Sequence, residues 1–209
     1  MTTETTTQRT VWQEPTAVQV RVALDEIEPP VWRRLVVPLD TTLVELHHIL
    51  QAAMGWTNSH LHAFEVGGLS YGDIDTLSAE RTEDDARVYD GDEVRLRDFK
   101  RKPGTSFVYV YDYGDNWRHT VTLEKLVAAK PAPKTATCIE GGRCCPPDDV
   151  GGPTGYFNFL RVLLSPEPDE IEEQRHLNRW SGGKFDPDRF DLPKTDKAVR
   201  GALRKRRRE

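Results

Sequence analysis

His60 and His62 lie two residues apart in an extended apolar run, so on a strand both imidazoles leave the same face and can reach one metal ion. His119 follows Asp112 and Asp115 on the returning arm of a hairpin. If the two strands are neighbours, two or three ring nitrogens and a carboxylate converge. That set describes a hydrolytic metal centre, with His60, His62 and His119 holding a divalent ion and Asp112 or Asp115 acting as ligand or base. The competing reading is structural. Phe64 and Val66 share the face of His60 and His62, and histidines at the rim of an apolar surface bond to backbone groups or aspartates. His47 and His48, adjacent on a helical pattern, point to different sides, so at most one joins the group.

Cys138, Cys144 and Cys145 fall within eight positions. Thiolates with a histidine would suit zinc, yet adjacent cysteines rarely share one tetrahedral site and no second pair exists, so loop or buried thiols are the alternative. Their odd count is unlike the paired staples of secreted domains and fits a reducing compartment. Residues 148–155 precede a helix, where exposed N–H groups attract anions. Two aspartates oppose that use, and neither a Walker-type lysine nor a dinucleotide glycine fingerprint is present, so the loop reads as a rigid turn. Phe107, Tyr109, Tyr111 and Tyr113 alternate along one strand face, either as core or as a platform for stacking bases.

The formal net charge of −5 hides a division: the last ten residues carry +5 and the remainder −10. Arg204, Lys205, Arg206, Arg207 and Arg208, with Arg33 and Arg34 on a strand, are the candidates for nucleic-acid contact through phosphate neutralisation. An acidic protein partner would explain the basic tail equally well. Apolar residues at 37% and charged residues at 30% suit a globular chain with a highly charged surface. No apolar run approaches the roughly 20 residues of a membrane-spanning helix, and the Thr-rich start lacks the parts of a secretory signal, so the expected location is the cytoplasm without membrane association.

Residues 1–16 form a flexible lead-in with Trp12 able to dock. Val18, Val20, Val22 and Leu24 alternate with polar neighbours as a first strand, and residues 31–37 form a second, antiparallel to it across Glu28-Pro29-Pro30. Thr42 and Glu45 make a capping box for a helix through Met54, which Gly55 stops. Strands follow at residues 61–66, 69–71 and 94–96, with an acidic irregular stretch between the last two. Residues 106–113 and 117–126 form the clearest hairpin, joined by Gly114-Asp115-Asn116. Residues 130–137 read as a Pro/Ala/Lys linker, after which a Cys/Pro/Gly-rich loop leads to helices at 156–164 and 168–181. This order predicts an α+β fold: a mostly antiparallel mixed sheet with one main helix packed across it, for which a β-grasp-like arrangement is one solution, plus a helical C-terminal extension. The body spans 17–193, with the docked helical part at 138–193, and 194–209 is a basic tail.

Several strings carry a family resemblance: Pro29-Pro30-Val31-Trp32-Arg33-Arg34; Leu46-His47 with Ala53-Met54-Gly55-Trp56; His60-Leu61-His62-Ala63-Phe64; Tyr111-Asp112-Tyr113-Gly114-Asp115-Asn116-Trp117-Arg118-His119; and Cys145-Pro146-Pro147-Asp148-Asp149-Val150-Gly151-Gly152-Pro153. Together they resemble the plasmid pRiA4b ORF-three-like family over about residues 17–192. The resemblance implies an α+β domain tied to plasmids and mobile elements, an insertion-element passenger with a resolvase-type (TnpR) label that rests on genetic context. The leading expectation is a non-enzymatic accessory or binding protein that contacts nucleic acid or a protein partner. The alternative is a metal-dependent hydrolase or nuclease-like enzyme built on the His/Asp cluster, and a third reading is a pure protein-interaction module.

Overall fold

The computed structural model describes residues 13–72, 88–99 and 104–206; Trp12, most of the acidic stretch after β4, and Arg207 and Arg208 lie outside these. β1 (Ala17–Leu24) and β2 (Trp32–Pro38) pair antiparallel with Val20 opposite Leu35. Their alternation sends Val18, Val20, Val22, Leu35 and Val37 into the core. α1 (Leu43–Met54) starts on the expected capping box: the Thr42 hydroxyl accepts from the Glu45 N–H, while the Glu45 carboxylate accepts from the Thr42 N–H.

The chain continues through β3 (His62–Val66), β4 (Leu69–Gly72), β5 (Val88–Asp90), a 3-10 turn (Leu96–Phe99), β6 (Thr105–Tyr111), β7 (Trp117–Val127) and β8 (Thr137–Gly142). It ends in α2 (Gly152–Leu164), α3 (Ile171–Trp180) and α4 (Leu192–Arg206). The eight strands form one sheet in the order β5-β4-β3-β6-β7-β1-β2-β8, antiparallel except for the β4–β5 pair. This is the expected α+β class, with a main helix across a mostly antiparallel sheet.

α1 covers one face, reaching Tyr109 on β6 through His47 and Gln51 and Arg33 on β2 through the Ala53 carbonyl. The opposite face is polar: Arg34 pairs with Glu124 and Glu140, Arg118 pairs with Glu65, and the guanidinium groups of Arg21 and Arg34 both lie over the Trp32 ring. An antiparallel sheet tolerates one such solvated face, whereas the buried face needs a continuous apolar lining. Phe107, Tyr109 and Tyr111 supply that lining, so the aromatic stripe is core and only Tyr113, past the strand end, is exposed.

Three segments differ from the sequence reading. Residues 94–96 form no strand: Arg95 makes an isolated bridge to Thr42, and Leu96 opens the 3-10 turn. Thr137–Gly142, read as the end of a linker and the start of a loop, is the edge strand β8 on β2. Its glycines obscure the alternation, and Gly142 packs so tightly under Trp32 that an added Cβ would come within 2.8 Å of the indole nitrogen. Residues 194–206, read as tail, belong to α4, which docks on α1 and β8 through Val199 and Ala202 and fixes the Cys138 N–H with the Asp196 carboxylate.

Candidate functional site

The loop after α1, the β6–β7 turn and the loop before α2 meet at one end of the sheet. His60 comes from the first, Asp112 from the second and Asp149 from the third. One ligand atom from each lies within 4.8 Å of the other two. His60 Nε2 is 2.9 Å from Asp149 Oδ1 and 3.5 Å from Asp112 Oδ2, yet neither contact is aligned as a hydrogen bond. The carboxylates approach the ring nitrogen off its N–H direction, as they would if all three faced a common central point.

Asp112 is fixed by its own turn. It takes a left-handed backbone (φ 59), and its Oδ1 accepts from the N–H groups of Gly114 and Asp115, which leaves Oδ2 toward His60. Asp115 Oδ2 accepts from the Gly151 N–H and so ties the loop before α2 to the same turn. Asp148 Oδ2 takes the Thr57 N–H and hydroxyl, while its Oδ1 is shielded from solvent without a partner. Burial pushes the Tyr111 hydroxyl up to about 12, with the charges of Asp148 and Asp112 adding to it, so the phenol stays neutral and accepts from the Ser59 N–H. None of these four aspartates pairs with a lysine or arginine among the described residues. The cleft therefore concentrates negative charge beside a single imidazole.

Of the residues expected at a metal centre, the structure brings His60 and Asp112 together, places Asp115 behind them as a tether, and sends His62 and His119 elsewhere. His62 stacks on His47 at 3.4 Å with nearly parallel rings. His47 in turn meets the Tyr109 hydroxyl and the Asn58 carboxamide, an arrangement satisfied by its Nε2-protonated tautomer. Burial, then the neighbouring His62 and His48, hold His47 well below the ordinary histidine range. His119 is fully buried, with Nδ1 placed 3.2 Å from the Tyr109 carbonyl and 3.1 Å from that of Trp117, and its ring packs edge-on against Trp56. Burial lowers it to about 4, so it is a neutral core group.

Asp149 was absent from the expected set. Its neighbourhood read as a rigid turn, and only the long-range docking of that turn onto Asp115 brings the carboxylate to His60. The docking rests on Gly152 (φ 67), where a Cβ would lie 2.4 Å from the Asp115 carbonyl oxygen. Gly152→Ala adds left-handed strain to a backbone clash, so it is expected to lower stability by about 2 kcal/mol, read from the urea unfolding midpoint.

The basic candidates also separate. Arg33 is buried at 3% exposure and donates to the carbonyls of Ala53, Trp32 and Gly142, so it is a core cation rather than a phosphate contact. Arg34 is held by Glu124 and Glu140. Arg204, Lys205 and Arg206 sit on the last turn of α4. Among the described residues Cys138, Cys144 and Cys145 do not join a metal-holding group. Burial raises all three thiols, most strongly Cys145, which keeps them protonated beside Arg33.

The family model described as Plasmid pRiA4b ORF-3-like protein matches residues 16–194. The chain is 36% identical to "Uncharacterized protein y4hQ" of Sinorhizobium fredii, over 87% of this chain and 90% of that one. The crystal structure of a protein of unknown function, MM3350 from Methanosarcina mazei Go1, superposes with a TM-score of 0.73 at 32% identity, covering 85% of this chain and 95% of that one. No helix among the described residues is long and apolar enough to cross a membrane.

Proposed function

Because the chain belongs to the plasmid pRiA4b ORF-3-like family, we propose that it is an accessory binding protein of plasmids and mobile elements whose working site is a divalent-cation centre formed by His60, Asp112 and Asp149. The observation that supports this reading is the approach of three ligand atoms, from three separate loops, to within 4.8 Å of one another. One imidazole and two carboxylates suit a first-row ion such as Mn²⁺ or Zn²⁺ better than Mg²⁺ or Ca²⁺, which favour all-oxygen shells. Three protein ligands leave coordination positions for an anionic group of the bound partner.

The same open positions favour a second reading, hydrolysis, because a metal-held water loses its proton near neutral pH and becomes a nucleophile. In either case the basic residues of the C-terminal segment, Arg204 to Arg208, would supply sequence-independent attraction to nucleic acid or to an acidic protein. Their contribution is tested by replacing them with glutamine. Deleting residues 200–209 would instead remove Ala202 from the docked face of α4.

Adding Mn²⁺ or Zn²⁺ to chelator-treated protein at about 100 times its dissociation constant is expected to stabilise the fold by about 2.7 kcal/mol. Asp149→Asn is expected to abolish that gain without lowering metal-free stability, since its side chain is 68% exposed. A gain that persists in Asp149→Asn places the ion elsewhere. Turnover of bis(p-nitrophenyl) phosphate that needs the ion and His60 separates the hydrolytic reading from simple binding.

A further inference from the structure

We propose that the cavity between the C-terminal end of α1 and α4 is a binding site for a small organic phosphate. This proposal is independent of the cation centre. The cavity measures about 580 Å³, within the range that holds small-molecule ligands. Lys194 and Lys197, three apart on α4, line one wall, and His48, Trp56, Thr57 and Asn58 line the other. Among the described residues no aspartate or glutamate lines it. In a chain whose body carries a large negative excess, two lysines without an ion pair among the described residues mark it as a place for an anion.

The rim is fixed before any ligand arrives. Trp56 Nε1 donates to the Pro146 carbonyl, Thr57 is tied to Asp148 through its N–H and hydroxyl, and the Asn58 N–H donates to the Gln51 side-chain oxygen. The Asn58 side-chain oxygen is engaged by His47, so of the Asn58 carboxamide it is the NH₂ that remains as a donor for a ligand. Two mobile ammonium groups provide point charges of the kind that bind phosphate. Ala52, Ala198 and Ala202 give the body of the ligand an apolar wall. A dianionic head with a compact apolar body matches both features, and pre-organisation lowers the ordering cost of binding.

The test is isothermal titration of the full chain with phenyl phosphate, phenol, benzoate and inorganic phosphate. Saturable one-site binding of phenyl phosphate is expected, at least about tenfold tighter than phenol or benzoate. Lys194→Ala/Lys197→Ala should weaken it at least about tenfold, while Lys184→Ala should not. Both lysines are exposed, so the double variant should fold, and its unchanged unfolding midpoint is measured alongside. Binding that persists in His60→Gln/Asp149→Asn keeps this site distinct from the cation centre, whereas binding lost there contradicts that independence. Absence of saturation, equal binding of benzoate, or binding unchanged in the lysine double variant overturns the proposal.

Discussion

Arg33→Met is expected to lower stability by about 4 kcal/mol. The guanidinium donates at 2.8–2.9 Å to three carbonyls from two strands and the end of α1, and it lies 4.5 Å over the Phe190 ring. Burial lowers its affinity for a proton, yet among the described residues no carboxylate pairs with it, and the neighbouring thiols stay protonated. The charge is therefore balanced by carbonyl dipoles. Methionine keeps the length of the side chain and removes every donor, so one buried and two part-buried hydrogen bonds to carbonyl oxygens are lost at once. Each loss costs about 1–3 kcal/mol. Arg33→Lys is expected to recover only part of this, because one ammonium cannot reach oxygens on diverging sides. Urea unfolding followed by circular dichroism measures both; a loss below about 1 kcal/mol for the methionine variant would show that the carbonyls find other donors.

The second large effect is on acid stability. His119 takes its proton near pH 4 in the fold instead of at its ordinary 6.5, because burial penalises the charged ring. Below pH 6.5 the unfolded chain therefore binds more protons than the folded one, and stability falls as the pH is lowered. The contribution is fully present above pH 6.5, declines by about 2 kcal/mol down to pH 5 and by about 3 kcal/mol at pH 4. His47 is shifted in the same direction and adds to the slope. The interval from pH 6.5 to 5 is the informative one, since carboxylates titrate mostly below it. His119→Gln, whose amide can donate to the Tyr109 and Trp117 carbonyls, should remove about half of the loss in that interval. An unchanged slope in the variant would mean that His119 is not the group being charged.

Much of the fold was legible because local patterns carry it. The alternation in β1, the capping box of α1 and the hairpin around Gly114-Asp115-Asn116 each specify an element without reference to the rest of the chain. β8 was not legible: it is an edge strand of mixed burial that ends in two glycines, and it exists through its pairing with β2. α4 was hidden by charge. Its docked residues Val199 and Ala202 stand at helical spacing, but they are surrounded by lysines and arginines that read as a solvated tail.

The site shows the same division. His60 and His62 were paired by strand periodicity, but β3 begins at His62, so His60 lies in the preceding loop and the rule that places alternate residues on one face does not reach it. Freed from the strand, its ring turns to Asp112 and Asp149 while that of His62 stacks on α1. Asp112 was legible as a turn residue beside a histidine-bearing hairpin. Asp149 was not, because its approach depends on a tertiary contact between Gly152 and Asp115 that no local pattern encodes.

The most direct test of the cation centre is the metal content of the full chain, equilibrated with Mn²⁺ or Zn²⁺, freed of excess ion and measured by elemental analysis. About one ion per chain is expected in the native sequence and near zero in His60→Gln/Asp149→Asn. No bound ion in the native protein, or one ion retained by the variant, would contradict the cation centre.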